Sequence, residues 1–224
     1  MEKSIGLVNV GQSPRPDGLA REMLQVLGEG FEIVETGALD GLSTTEISAL
    51  APGQGDYVII TILRDGSSVR LAKRHLMPLL QKRIDELNSR EVDIIGLTCA
   101  GEFPQFRSSR PLFLPQPILY NLVKGITLDG KVGVMTPLPE QIEQSRSAWN
   151  KVTTNLVVTH ANPYGDLALL EPASTQLAKE QVDVIAMECF GYTLAMKDVV
   201  KQLTRKPVVL VRSALARVLG ELAE

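Results

Sequence analysis

The sequence predicts an α/β protein built from two similar halves, each with three layers around a parallel sheet and with a cleft between the halves. Short apolar runs alternate with longer amphipathic stretches, which is typical of βαβ units. This pattern starts again after an Asp-Gly turn at residues 129–130, and one ten-residue segment ending in Cys-x-Gly occurs in each half. These three observations together favour a repeated parallel-sheet unit.

The first half is predicted to comprise residues 1–128. Its amphipathic segment at 69–87 has helical periodicity, and 118–125 forms a helix that closes the half. Residues 112–114, between two prolines, form a short fifth strand after four β-rich runs. Those runs lie at 5–10, 31–34, 57–62 and 92–98.

The second half is predicted to begin near Gly130 and to comprise residues 129–212. Helix-patterned segments at 140–152, 167–180 and 194–203 separate its strands. A final amphipathic helix, within 213–224, can join either half, and we assign it to the first as an option. The predicted strands are 131–135, 156–159, 182–187 and 208–211.

Composition and charge exclude several classes of function. The formal net charge is −3, from 23 basic and 26 acidic residues, and no dense Lys/Arg cluster offers a groove for nucleic acid. The first apolar run, 5–10, is too short for a signal-peptide core, and no segment approaches the roughly 20 apolar residues that span a bilayer. We therefore expect a cytoplasmic protein without a nucleic-acid or membrane partner.

The two cysteines lie in a repeated motif. VDIIGLTCAG at 92–101 and VDVIAMECFG at 182–191 align without a gap as Val-Asp-x-Ile-x-x-x-Cys-x-Gly. Cys99 and Cys189 should therefore follow the carboxyl ends of buried strands, where open α/β sheets bind ligands. A thiol with an ordinary pKa near ~8.5 can be activated there by backbone N–H groups. One cysteine can then take a proton from a ligand while the other gives one, without a metal or cofactor.

Other roles for the cysteines remain open at this stage. Cysteine is often a buried small hydrophobe, and this role would need no chemistry. A structural disulfide is disfavoured in a reducing cytoplasm, but a redox disulfide needs only proximity, although the chain has no Cys-x-x-Cys.

Further candidates follow predicted strands of the first half. Gln12, Ser13 and Arg15 come after the first strand in a loop stiffened by two prolines, and Arg15 is our first choice to bind a carboxylate. Alternatively, Ser13 caps a helix that has Pro14 at its first position. Arg64 follows the run at 57–62, where an Asp-Gly turn with a solvated arginine is equally ordinary.

The second half offers His160, Asn162 and Tyr164 after its second strand. A lone histidine is more often structural than catalytic, and His75, within a basic helical segment, is expected at the surface. Glu188 can act on the neighbouring thiol as a proton relay or by charge repulsion, although its side chain should alternate away from the cysteine.

Two α/β halves, each with a cysteine after a strand, resemble the aspartate/glutamate racemase superfamily of cofactor-independent racemases and isomerases. GQSPRPD at 11–17, LRDG at 63–66 and ECFG at 188–191 are similar to the AroM family within that superfamily. The resemblance implies that Cys99 and Cys189 transfer protons, that no cofactor or metal is needed, and that the ligand is a small carboxylate-bearing molecule. It also suggests a homodimer, since related folds often pair.

The residues after the cysteines depart from the amino-acid racemases, which commonly have Asn-Thr after the first cysteine and Thr after the second. The predicted function is racemisation or isomerisation at a carbon next to a carboxylate, with a one-cysteine decarboxylase or a non-catalytic small-acid-binding or regulatory protein as alternatives. In place of the Asn and Thr side chains of the amino-acid racemases, backbone groups and hydroxyls of this chain are expected to bind the ligand. The residues concerned are Thr98, Ala100, Gly101, Phe190, Gly191, Tyr192 and Thr193.

Overall fold

The computed structural model describes residues 2–165 and 167–223. The chain divides into two compact units, the first comprising Met1–Leu114 and Ala216–Glu224 and the second Pro115–Leu215. The helix Pro115–Thr127, predicted in the first half, lies in the second unit, where the ring of Tyr120 packs against that of Trp149 at a tilt of 44°, with ring centroids 4.2 Å apart. No helix within the described ranges is long and apolar enough to cross a membrane.

The first unit begins with a strand that is buried along most of its length, as expected for the centre of a parallel sheet. Its elements in chain order are β1 (Lys3–Asn9), α1 (Leu19–Leu27), β2 (Phe31–Gly37), α2 (Thr44–Ser48), β3 (Val58–Ile62), β4 (Ser68–Ala72), α3 (Lys73–Ser89), β5 (Ile94–Leu97) and β6 (Leu112–Phe113).

The second unit has a similar alternation of strands and helices, and its last helix begins in this unit and ends in the first. Single turns of 3-10 helix precede α5 and α6. The elements are α4 (Pro115–Thr127), β7 (Val132–Thr136), α5 (Ile142–Trp149), β8 (Leu156–His160), α6 (Leu170–Lys179), β9 (Val184–Met187), α7 (Leu194–Thr204), β10 (Val208–Leu210) and α8 (Val211–Ala223).

The two units contain parallel sheets of the same topology. The strand order is β2-β1-β5-β6 in the first unit and β8-β7-β9-β10 in the second. In each sheet, the first strand in chain order (β1 or β7) pairs with the second (β2 or β8) on one side. On its other side it pairs with the third (β5 or β9), which the cysteine follows. The predicted α/β class with two similar parallel-sheet halves is confirmed.

The repeated aspartate of the cysteine motif has the same bonds in both units. Asp93 accepts a hydrogen bond from the Ser4 N–H at 2.8 Å, and Asp183 accepts one from the Lys131 N–H at 2.7 Å. In both cases the N–H of the aspartate donates back to the carbonyl of the same partner. The aspartate therefore fixes the register between the first and third strands of each sheet.

One part of the predicted sheet is wrong. Residues 57–62 do not join the parallel sheet, because β3 pairs antiparallel with β4 in a separate hairpin. Residues 69–72, predicted as helical, belong to β4, and α3 starts only at Lys73. A tight turn causes the difference: Gly66 has φ 89°, and the Leu63 N–H donates to the Ser67 carbonyl at 2.7 Å.

Candidate active site

Each cysteine lies just past the carboxyl end of the third strand of its own sheet. Cys99 follows β5 and Cys189 follows β9, and both are partly exposed thiols. Cys99 packs against the apolar core of the first unit, and Cys189 packs against that of the second. Each cysteine is therefore packed against apolar side chains and is still partly exposed, at the end of a sheet where ligands commonly bind.

A buried polar network surrounds the residue before Cys99. The Thr98 hydroxyl lies 2.5 Å from Asn9 Oδ1, and the Asn9 amide donates to Ser13 Oγ at 2.7 Å and to Glu35 Oε2 at 2.8 Å. Thr98 and Ser13, both predicted ligand contacts, thus lie in one network. Their side chains are held by protein partners, so they order this end of the sheet.

The loops after β1, β2 and β3 are tied together by Arg64. Its N–H donates to Gln12 Oε1 at 3.0 Å, its Nε to the Ser13 carbonyl at 2.8 Å, and its Nη2 to Asp40 Oδ1 at 2.8 Å. The structure therefore brings the predicted residues Gln12, Ser13 and Arg64 together. The Arg64 side chain is still 53% exposed, which leaves it accessible to an anion.

Arg15 is placed differently from Arg64. Its side chain is only 1% exposed, and it binds Asp17 through two hydrogen bonds of 3.0 and 2.6 Å. This paired geometry is the strong form of an arginine–carboxylate contact. Binding a ligand carboxylate at Arg15 would therefore require that the ion pair be shared or opened.

The segment after β1 is not the start of a helix. Helix α1 begins at Leu19, Gly18 occupies its N-cap with φ 68°, and the Ser13–Pro14 peptide bond is cis. The alternative that Ser13 caps a helix with Pro14 at its first position is therefore wrong. The Ser13 hydroxyl bonds the Asn9 amide instead.

The loop after Cys99 is held by two residues that sequence reasoning did not select. Tyr57 accepts a hydrogen bond from the Glu102 N–H at 3.2 Å, and Lys73 Nζ donates to the Glu102 carbonyl at 2.8 Å. Lys73 also lies 4.2 Å from the centre of the Tyr57 ring, a cation–π contact. The predicted residues Ala100 and Gly101 belong to this braced loop, and both are partly exposed.

The loop after Cys189 has a hydrogen bond to the sulfur itself. The Gly191 N–H donates to Cys189 Sγ at an N···S distance of 3.3 Å. The carbonyl of Phe190 accepts from Arg212 Nε and Nη2 at 3.2 and 2.5 Å. The Gly191 N–H is thus directed at the sulfur in the way that a hydrogen bond to a thiolate is made.

Glu188, the residue before Cys189, points its carboxyl group at helix α5. Glu188 Oε2 accepts a hydrogen bond from Trp149 Nε1 at 2.6 Å. Burial raises the pKa of Glu188, and the polar side chains of Ser145, Trp149 and Thr136 beside the carboxyl offset part of that effect. The Glu188 carboxyl therefore holds its proton more strongly than an exposed glutamate does.

Tyr192 and Thr193 are occupied by structural contacts. The buried Tyr192 hydroxyl donates toward the carbonyls of Thr136 and Ala161, at 2.9 and 2.6 Å. Burial, together with the negative charges that Cys189 and Glu188 can carry, raises the pKa of Tyr192 well above its ordinary value. Thr193 Oγ1 accepts from the Met196 N–H at 3.2 Å and caps α7.

Asn162 and Tyr164 form a turn against the Cys189 loop. Asn162 Oδ1 accepts from the Tyr164 N–H at 3.0 Å. A Cβ at Gly191 would lie 2.8 Å from the Tyr164 ring, so the predicted residues Tyr164 and Gly191 are in close contact. His160 is exposed at the end of β8, whereas His75 is partly exposed on α3.

Sequence reasoning missed several polar residues that organise the two cysteine loops. Asn9 ends β1 and Arg212 comes two residues after β10, so their positions at strand ends were a usable signal. Tyr57, Lys73 and Trp149 gave no such signal. Within residues 2–165 and 167–223, no group of His, Cys, Asp and Glu is arranged to hold a metal ion.

Solved structures of low sequence identity share the fold. Maleate isomerase Iso from Pseudomonas putida S16 superposes with a TM-score of 0.67 at 13% identity, covering 99% of this chain and 93% of that one. Picrophilus torridus aspartate racemase gives 0.64 at 14%, covering 99% and 94%. An arylmalonate decarboxylase gives 0.61 at 14%, covering 99% and 92%. At these identities the likeness shows the fold alone.

The sequence comparisons give a narrower result. No curated protein matches the chain. A family model described as AroM protein matches residues 5–223, which is nearly the whole chain. The motifs at 11–17, 63–66 and 188–191 predict this family, and the prediction is confirmed. The chain belongs to the AroM family.

Proposed function

We propose that this protein is a cofactor-independent racemase or isomerase that moves a proton at a carbon next to a carboxylate of a small acid. The observation that carries the proposal is the repeat: each parallel sheet ends its third strand in a partly exposed cysteine followed by a turn. A duplicated position with the same reactive group suits a reaction that needs one base and one acid. The shared fold with a racemase and an isomerase supports the same class.

In the proposed reaction, the thiolate of one cysteine removes the proton from the carbon, and the thiol of the other donates a proton to the opposite face of the resulting carbanion. The electron pair of the broken C–H bond stays on the carbon and forms the new C–H bond as the second S–H bond breaks. After turnover the two cysteines have exchanged protonation states, so the reverse reaction uses them in swapped roles. Proton transfer of this kind contributes about 10²- to 10⁴-fold to a rate.

Binding of the ligand is assigned to the loops at the strand ends. The peptide groups of Ala100 and Gly101 belong to the partly exposed loop after Cys99, and Arg64 supplies an accessible positive charge against the loops after β1 and β2. In the second unit, the turn containing Asn162 and Tyr164 lies against the Cys189 loop. A small carboxylate-bearing molecule fits these donors, since carboxylates bind arginine and backbone N–H groups.

The proposal is tested by solvent exchange. A panel of chiral small carboxylic acids is incubated with the protein in D₂O, and deuterium at the carbon next to the carboxylate is followed by NMR. We expect exchange to fall at least about 10²-fold in Cys99→Ala and in Cys189→Ala. His160→Gln, an exposed residue at a neighbouring strand end, is the matched control and should retain exchange. Undiminished exchange in both cysteine variants would refute the two-thiol mechanism.

A one-cysteine decarboxylase is the second candidate, and the asymmetry of the two loops favours it. Thr98 precedes Cys99, whereas a carboxylic acid, Glu188, precedes Cys189, whose sulfur accepts the Gly191 N–H. One cysteine would then protonate the carbanion left after loss of carbon dioxide. Carbon dioxide release that needs only one of the two cysteines would support this candidate over racemisation.

A non-catalytic small-acid-binding or regulatory protein is the third candidate. It predicts that members of the same acid panel raise the melting temperature without deuterium exchange or carbon dioxide release. Thermal shift and exchange measured on the same samples separate binding from turnover. A stabilising acid that exchanges no deuterium would assign the protein to this class.

A further inference from the structure

We propose that Arg212 is a positioning residue for Cys189: by binding the Phe190 carbonyl, it holds the following peptide group so that the Gly191 N–H donates to the Cys189 sulfur. This inference builds on the proposed function only in treating Cys189 as a reactive thiol. The inference assigns a role to Arg212, a buried residue that lies outside the cysteine motif at 182–191.

The geometry of one peptide group carries the argument. The Phe190 carbonyl and the Gly191 N–H belong to the same peptide unit, and in a trans unit they point in opposite directions. Arg212 Nε and Nη2 lie 3.2 and 2.5 Å from the oxygen, and Cys189 Sγ lies 3.3 Å from the nitrogen. Fixing the oxygen therefore directs the N–H at the sulfur. The positive charge also polarises the peptide and strengthens its N–H as a donor.

The same peptide is restrained from its other side. A Cβ at Gly191 would lie 2.6 Å from Pro163 Cγ and 2.8 to 2.9 Å from the Tyr164 ring, so only glycine fits there without movement. The Tyr192 N–H donates to the Cys189 carbonyl at 3.2 Å and closes the turn. The loop is therefore packed on one side and bonded to Arg212 at the carbonyl.

Arg212 reaches this loop because of the sheet topology. Arg212 is the second residue of α8, and α8 begins directly after β10. Strand β10 pairs with β9, the strand that Cys189 follows. Arg212 is 1% exposed. Burying a guanidinium group is costly unless its N–H groups are bonded, so this position needs the polar partners that it has, the Phe190 carbonyl among them.

The Cys99 loop is held in another way. Its cation, Lys73, binds the carbonyl of Glu102, three residues after the cysteine, rather than the peptide next to it. Removal of Arg212 should therefore affect Cys189 and leave Cys99 as an internal control. The ionisable groups that act on Tyr192 together with Cys189 are Glu188 and Tyr164, and all three side chains are unchanged in the comparison.

The test is the pH dependence of alkylation of each cysteine by iodoacetamide, followed by peptide mass spectrometry without substrate. In Arg212→Met we expect the Cys189 profile to move up by about one pH unit and its rate at pH 7 to fall about tenfold, because the thiolate loses a directed donor and a nearby positive charge. Cys99 should change less than about twofold. Arg212→Lys, which keeps the charge without the planar pair of donors, should give an intermediate shift.

Two further variants keep the inference refutable. If Arg212→Met does not fold, as judged by circular dichroism and by its Cys99 profile, Arg212→Lys and Gly191→Ala decide, since an added methyl group displaces the same peptide. Lys73→Met is the matched control and should leave Cys189 unchanged. An unmoved Cys189 profile in the folded variants, or an equal shift in Lys73→Met, would overturn the inference. Because no turnover is measured, this result is independent of whether the protein is a racemase.

Discussion

The carboxyl group of Glu188 predicts a pH-dependent stability that one substitution can isolate. Burial raises the pKa of Glu188, so the folded protein favours the protonated group more than the unfolded chain does. Its contribution to the free energy of unfolding is therefore fully present below the pKa of an unfolded glutamate, about 4.3, and is lost as the pH rises through the higher folded value. Glu188→Gln keeps an acceptor for Trp149 Nε1 and cannot ionise.

The size of the effect follows from proton linkage. One proton bound differently in the folded and unfolded states changes the free energy of unfolding by at most about 1.4 kcal/mol per pH unit. The difference between Glu188→Gln and the parent protein should therefore grow in favour of the variant at up to this slope above pH ~4.3, and should level off once the folded group is ionised. The hydrogen bond from Trp149 and the nearby polar side chains of Ser145 and Thr136 limit the width of this pH window, since they stabilise the charged form of Glu188.

The assay is urea unfolding between pH 4.5 and 8, followed by circular dichroism and by the fluorescence of Trp149, the single tryptophan. Glu143→Gln, on the same helix α5 but 83% exposed, controls for the loss of one negative charge. A stability difference for Glu188→Gln that is constant with pH, or that favours the parent protein as the pH rises, would refute the reasoning. A pH-dependent Trp149 emission that disappears in Glu188→Gln would support it directly.

Two further predictions concern the scaffold. Ser43→Ala removes one side of a capping box, the bond from the Glu46 N–H to Ser43 Oγ, and keeps the other, from the N–H of residue 43 to the Glu46 carboxylate. It should cost about 1 kcal/mol in urea unfolding, and no loss would show that α2 does not depend on its cap. Gly133→Ala adds a methyl group 3.0 Å from Leu177 and 3.1 Å from Val182, and should lower the free energy of unfolding by about 1 to 3 kcal/mol in the same assay. An unchanged unfolding midpoint would mean that these two side chains can move aside without cost.

The repeated sheet could be predicted because its signal is local. The motif around Cys99 carries its own apolar run, its register-fixing Asp93 and its turn glycine within ten residues, and the copy around Cys189 confirms each feature. The β3–β4 hairpin could not be predicted in this way. The apolar run of β3 resembles a parallel strand, and only the turn at Gly66 turns it back on β4.

The contacts of the candidate site residues could not be predicted from the sequence. Arg212 is 23 residues beyond Cys189, and Trp149 is 39 residues before Glu188, so each contact depends on strand order and helix packing rather than on sequence spacing. The same limit applies to Arg15. Its loop position favoured a carboxylate clamp, but its carboxylate partner in the folded protein is Asp17.

The two halves share a backbone but differ at the position before each cysteine. Thr98 and Glu188 occupy the same place in the repeat, and their N–H groups donate to equivalent first-strand carbonyls at 2.9 and 3.2 Å. The first side chain joins a neutral Asn9, whereas the second is a carboxylic acid with a raised pKa. The fold therefore keeps the thiol in both halves and changes the side chain beside it, from a neutral hydroxyl to a carboxylic acid. The proposed reaction needs one base and one acid, and this asymmetry is the feature of the repeat that can separate the two roles.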